Sequence, residues 1–476
     1  MPRRTLLAVP VLFALTVACT GPEVSADTQP LAPPDSFAPP TTAAPPPPTG
    51  TTIDVDRASI YVIDPMTLEA IPGLDPIPVG DWFWGTTSSN GSWLALYAGD
   101  ETGVSSDLVL IDVVDWETIA TWSFVSEQPF HVTDEGTIYS LEGSSPNIKL
   151  SRRIGGQPDA AEVAQLPDDF YSWYEIDVWD GNAVIFGYRS EDGGSTGEAS
   201  IVTVDLSNGT VTQIPIPGVA FGTIDEVDIA ETYPGVIAAN PAVVWDHAGS
   251  RALVIHADKD IVTEVDLASS EVIDHPFGPE PSVWGELFAW LVPPAQAGGM
   301  AYARKGRMAV LSGERGSLHI ATMLGDITTD ENGWSSLNQP SGIVTVDTTT
   351  WQVVDRLDAP ISEIFLSPDG DRLLATGYGY SETRDTYESN SSGFYLIDPI
   401  DLDVITHYAP GQPTAFHWGF SFSRDGRFGY VITSDTQTEI DVIDLETGVI
   451  INTRTDAEIQ VFGEAGVLGE VDRGGP

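Results

Sequence analysis

The chain has 476 residues, with 70 acidic against 20 basic side chains and a formal charge of −50 at neutral pH. Such a field repels phosphate backbones and anionic headgroups, which excludes nucleic acid as a partner and excludes electrostatic attachment to a membrane. A hydrophobic fraction of 42% is enough for a core, while the single cysteine, Cys19, excludes an intramolecular disulfide, a zinc cluster and a cysteine nucleophile in the folded part.

The N-terminus reads as an export signal. Arg3-Arg4 give a charged start, Leu6 to Val17 an apolar stretch too short to span a bilayer, and Leu15-Thr16-Val17-Ala18-Cys19 closes it. This closing segment resembles the lipobox of bacterial lipoproteins. The resemblance implies a signal peptide over 1–18, cleavage before Cys19 and a diacylglycerol on its sulfur, hence a cell-membrane lipid anchor facing outside the cytoplasm. The alternative is an ordinary secretory signal with an incidental cysteine. Residues 19–52 follow as a proline-rich linker that includes Pro45-Pro46-Pro47-Pro48. This composition builds no core and predicts an extended spacer of roughly 90 Å at most, about 3.1 Å per residue.

From residue 59 one pattern returns: an apolar strand ending near an aspartate, a turn, and a second strand. It appears at Ile60–Asp64, Leu108–Asp112, Ile201–Asp205, Ile261–Asp266, Ile343–Asp347, Phe394–Asp398 and Ile440–Asp444, with a degenerate copy at Asn147–Ser151. Several of these strands are apolar on both faces, the mark of strands covered on both sides. A second turn precedes each hairpin, as at Ser89-Asn90-Gly91, Asp180-Gly181-Asn182, His247-Ala248-Gly249, Arg304-Lys305-Gly306, Pro368-Asp369-Gly370 and Arg424-Asp425-Gly426. Two hairpins per repeat make a four-stranded antiparallel sheet, and such sheets repeated every roughly 40–80 residues predict a β-propeller over 53–476. The count is eight blades, or seven if the weak 131–166 unit is an insertion. The first hairpin lacks a preceding strand pair and the last segment, 457–471, lacks a following one, so strands from both termini should close the ring.

Tyr430-Val431-Ile432-Thr433-Ser434 with Ile440–Asp444, and the turns Phe365–Arg372 and Phe422–Arg427, resemble the repeats of YVTN/WD40-like surface propellers. That resemblance covers 59–471 and implies the fold; activity is left open, because propellers host many functions. Asp444-Leu445-Glu446-Thr447-Gly448 also resembles the Asp-x-x-Thr-Gly turn of quinoprotein-like eight-bladed propellers. One such family supplies an envelope scaffold lipoprotein. The motif is complete only once here, which speaks against a quinone cofactor.

Strand direction separates two faces. Short Asp/Gly turns fall on one, and long insertions (99–107, 187–199, 312–341 and 377–393) on the other, which marks the second as the expected binding side. The links entering the innermost strands supply candidate ligand-binding residues around the channel: Trp82, Trp84, His131, Tyr174, Glu175, Trp284, Glu286, Glu363, His417 and Trp418. Aromatics with carboxylates and imidazoles suit an extracellular ligand, a glycan or a peptide, or an envelope protein, or a cation; as plain core they would fill the inner ends of the blades.

The aspartate repeated at each hairpin reads as a turn acceptor rather than a ligand set. No cofactor is firmly predicted. Calcium or another divalent cation is the candidate the acidic surface raises, yet Asp330-Glu331-Asn332-Gly333 has Thr328 where a calcium loop begins. No nucleophile elbow, P-loop, dinucleotide fingerprint or HExxH is present. The expectation is a binding or scaffold propeller held off a membrane by its tether, more a binder than an enzyme. The alternative is a propeller lyase, hydrolase or lactonase with a channel metal.

Overall fold

The computed structural model describes residues 58–80, 82–99, 106–124, 129–143, 147–190, 196–228, 234–278, 302–313, 315–330, 333–383, 387–408, 416–434, 438–456, 459–462 and 467–470. Cys19, the linker, Trp284 and Glu286 lie outside them. All regular structure among the described residues is β-strand. The reason is local: runs of Val, Ile, Leu and aromatics broken by Gly and Asp. Trp93–Gly99, for example, is half-buried at its first residue and buried at the next six.

The strand pairing contains eight antiparallel four-stranded runs. Five stand as separate sheets and three lie within one 13-stranded sheet. Arranged around an axis they form a propeller. The innermost strand of each run is its first: Trp82–Thr87, Phe130–Val132, Phe170–Trp179, Ala242–Asp246, Tyr302–Ser312, Glu363–Leu366, Phe416–Phe422 and Ile459–Phe462. Five of these line a central cavity of about 600 Å³. The weak segment 131–166 is one of the runs, spanning Phe130–Gln165, and not an insertion.

Both termini build one sheet. Ser59 to Val62 pair with Glu470 to Val467, and Val467–Glu470 pairs in turn with Ile459–Phe462. The hairpin from the N-terminal side packs on both neighbours. Ile60 and Val79 bury against Leu94 and Leu96, and Ile63 and Leu68 against Tyr430 and Val442.

The aspartate turns follow one geometry. The carboxylates of Asp64, Asp112, Asp205, Asp266, Asp347, Asp398 and Asp444 each accept backbone N–H bonds two or three residues on, at 2.7–3.0 Å. The residue four after each aspartate then takes a positive φ: Leu68, Trp116, Gly209, Ser270, Trp351, Leu402 and Gly448. Glycine fills that left-handed position only twice, which is why the Asp-x-x-Thr-Gly pattern is complete only once.

The long-insertion face departs from expectation. The described residues of segments 312–341 and 377–393 are mostly strand, not loop. The hairpin of Ser317–Asp330 and Gly333–Asp347 stays paired far beyond its blade, and Ser335–Asn338 cross to pair with Thr383–Tyr380. Val211–Asp228 likewise outruns its blade and pairs with Pro234–Asn240. That strand runs parallel to Tyr302–Gly306. The extensions thus join into one continuous accessory sheet across several blades. Arg304-Lys305-Gly306 is consequently strand, paired along one edge with Ala238–Asn240 and joined on the other from Gly306 onward, and the turn bond falls later, from Gly316 N–H to Gly313 O, with Gly316 at φ +61°. Of the partial calcium motif, Asp330 and Gly333 pair as strand partners, as do Thr328 and Ser335, whose Oγ1 and Oγ lie 3.2 Å apart; Glu331 and Asn332 lie outside the described residues.

Inside the blades, His319 is fully buried, its Nδ1 2.9 Å from Thr345 Oγ1 and its Nε2 without a partner. Burial, with the charge of Arg315, lowers its pKa to about 4. The folded value lies below the unfolded one, so the fold binds fewer protons; its stability contribution is complete above the ordinary imidazole range and is lost as pH falls toward 4. Relative to His319→Gln, the native chain should lose on the order of 3 kcal/mol between pH 7 and pH 4. Urea unfolding of both chains at the two pH values measures this; a gap that does not change with pH would contradict it.

Candidate functional site

The channel has two mouths of different chemistry. At the short-turn mouth, three neighbouring blades bring together His131, Asp177 and His247. Asp177 sits near the end of its inner strand. Its Oδ2 lies 2.7 Å from His247 Nε2 and its Oδ1 3.5 Å from His131 Nδ1. Burial alone would raise the Asp177 carboxyl, but the His247 hydrogen bond and the two imidazole charges hold it below the usual range. The bond to Asp177 raises His247, whereas burial lowers His131 despite the nearby carboxylate. Asp177 thus sets two imidazoles apart, one inclined to keep a proton and one to shed it. Trp179 stacks on His247 with ring centroids 4.6 Å apart and leans on Trp245, which lines the channel.

The insertion mouth is built from strand extensions. Glu363 opens its inner strand, accessible to solvent yet hemmed by protein; this burial raises its carboxyl, with Arg304 pulling the other way. Arg304 is held from two sides. Its backbone N–H donates to Asn338 Oδ1 at 2.6 Å. Oriented to satisfy its surroundings, the Asn240 amide accepts from Arg304 Nε at 2.6 Å and donates to Ala239 O at 3.0 Å. Ser362, beside Glu363, is buried with no partner for its Oγ. Beyond this mouth, the accessory sheet encloses a groove of about 430 Å³ between the Leu337–Pro340 stretch and the strands through Tyr380 and Ser391.

The structure therefore separates His131 from Glu363. The first meets Asp177 and His247, the second faces Arg304, and they belong to opposite mouths. Trp82, Trp84, Tyr174, Glu175, His417 and Trp418 stand on the inner strands themselves rather than on the links before them, but their side chains lie outside the described part. Trp284 and Glu286 fall outside the described residues altogether. Among the described residues, no group of three or more His, Cys, Asp or Glu is placed to hold a metal ion. Sequence reasoning missed Asp177, His247 and Arg304. Asp177 lay two residues past Glu175 on the same strand, and the other two lay within segments read as turns.

No protein-family model matches the sequence, and no curated protein does either. Solved structures do match. One is a dihydro-heme d1 dehydrogenase, NirN, in complex with DHE, at 12% identity, covering 89% of this chain and 78% of that one, TM-score 0.49. Another is an oligogalacturonate lyase in complex with manganese, at 12% identity, 74% and 86% coverage, TM-score 0.42. A third is the Cps50 (Swd1) β-propeller domain from Myceliophteria thermophila, at 10% identity, 83% and 97% coverage, TM-score 0.36. The similarity is one of fold.

Proposed function

We propose that this is an exported, lipid-anchored β-propeller that binds an extracellular ligand or envelope partner on its insertion face. The observation that supports the reading most is the accessory sheet. Three strand extensions from different blades converge on one face and pair with each other, whereas among the described residues the opposite face carries tight turns. A rigid scaffold with its elaboration confined to one side is the arrangement of a binding surface. The net charge of −50 keeps the domain off anionic surfaces, so the anchor at Cys19 and the linker would do the holding. Amide hydrogen exchange of the whole chain with and without envelope fragments tests which face binds.

Anchoring is tested separately. Cys19→Ser should shift the protein from the membrane fraction to the soluble one almost completely, since the two acyl chains of the diacylglycerol are what hold such proteins. A variant that still sediments with membranes would rule out the lipid anchor.

One observation favours a second reading, a lyase or hydrolase. His131 and His247 both lie within ion-pair reach of Asp177 at a channel mouth, and groups whose proton affinities are driven apart suit acid–base work. That reading places the ligand at the short-turn mouth instead.

A further inference from the structure

The strands around the insertion-face groove interrupt the acidic pattern of the chain. The runs 333–345, 373–381 and 389–397 carry no charged residue, although a chain with 19% charged residues would place about six there. They are not neighbours in sequence, but the accessory sheet brings all of them to the groove. Its polar lining comes from Asn338, Gln339, Tyr380, Ser381, Ser391 and Ser392. Every one of these groups, amide, phenol or hydroxyl, both donates and accepts hydrogen bonds without carrying charge.

The walls are fixed from behind. Ser392 Oγ donates to Gly377 O at 3.0 Å, and His407 Nε2 lies 2.8 Å from Ser392 O while its ring stacks on Tyr395 at 4.1 Å. Asn338 is tied to the Arg304 backbone. A Cβ at Gly377 would meet the Pro360 carbonyl, and one at Gly379 the Pro340 ring, so glycine lets the strands approach here. A groove of about 430 Å³ falls within the roughly 300–1,000 Å³ of small-ligand sites.

We infer that this groove binds a neutral oligosaccharide. A sugar ring offers hydroxyls that donate and accept at once, matching the lining, and an apolar C–H face that suits the Tyr380 ring. A uronate or phosphate would find no cation in the lining and a repelling field around it. A cationic ligand would find no carboxylate in the lining. The inference rests on the insertion face being the binding face, and narrows it to one groove and one ligand class.

The test is calorimetric titration of the full chain in detergent micelles. The probes are neutral tetrasaccharides of glucose, mannose and galactose, with a galacturonate oligomer and a mixed peptide pool for comparison. At least one neutral tetrasaccharide should bind, and Tyr380→Ala should weaken it about tenfold or more. Gln339→Ala, at an exposed position that leaves the fold intact, should weaken it several-fold. Binding only of the uronate or the peptides, binding untouched by both variants, or no binding of any probe would overturn the inference. Hydrogen exchange with envelope fragments separates the two failures: protection on the insertion face with an inert groove leaves the binding face standing, and protection elsewhere removes both.

Discussion

Deleting residues 457–476 is expected to abolish cooperative unfolding of the entire chain. The strands Ile459–Phe462 and Val467–Glu470 are the inner half of the sheet that joins the ends. Without them Ala58–Val62 and Ile77–Gly80 remain as a two-stranded hairpin, which is marginal in water. Its undocking would uncover Ile60, Ile63, Leu68 and Val79, all buried, at about 1.5–3 kcal/mol each. It would also break the Tyr430 hydroxyl bond to Pro65 O at 3.0 Å and the Asn452 bond to Thr67 O at 2.7 Å. That loss is comparable with a whole domain's net stability of about 5–15 kcal/mol. Calorimetry and proteolysis check it: a truncated chain that melts like the native one would mean that the ring is not closed through this sheet.

Glu142→Ala should be the most damaging single substitution in the run Phe130–Gln165. Arg153 is buried there; its Nη1 donates to Ser140 Oγ at 2.7 Å and its Nη2 pairs with Glu142. Lys149 stands 3.4 Å from the other Glu142 oxygen. Burial pushes the Glu142 carboxyl up, but the bond and charge of Arg153 hold it below the usual range. A depressed carboxylate stabilises above its unfolded pKa, and the contribution fades as pH falls through the folded value. Removing the carboxylate takes the Glu142 charge away from a buried guanidinium, an expected cost of about 3–5 kcal/mol. Glu142→Leu combined with Arg153→Met should cost much less, because the buried guanidinium is gone too. Denaturant unfolding of both variants decides the matter; equal losses would show that packing, not the lost charge pairing, sets the penalty.

Much of this fold was legible in the sequence because its signals are local. The aspartate turns announce themselves by a side chain that bonds its own backbone, and alternation or continuous apolarity marks the strands between them. Closure was legible from the unpaired hairpins at the two ends. The accessory sheet was not, since polar extensions such as Gly333–Pro340 lack the apolar period of a blade strand and look like loops. Their order comes from pairing between distant segments, which no local pattern records. The same holds at the site. His131 and Glu363 were recognisable as channel residues, but their partners depend on which turns and extensions meet across blades. Asp177 and His247, 70 residues apart, become neighbours only through the ring. Arg304 was hidden by the glycine two residues on, which allowed a turn that parallel pairing with the distant strand Pro234–Asn240 forecloses.

The central claim, that the insertion face is the binding face, is tested most directly by amide hydrogen exchange of the full chain with and without envelope fragments from the cell that makes it. Bound ligand should slow exchange in 302–306, 323–340 and 377–393. The turns at 88–92, 247–250, 367–372 and 423–427 should exchange as before. Protection confined to those turns and to the strands bearing His131 and Asp177 would contradict the claim and move the function to the opposite mouth.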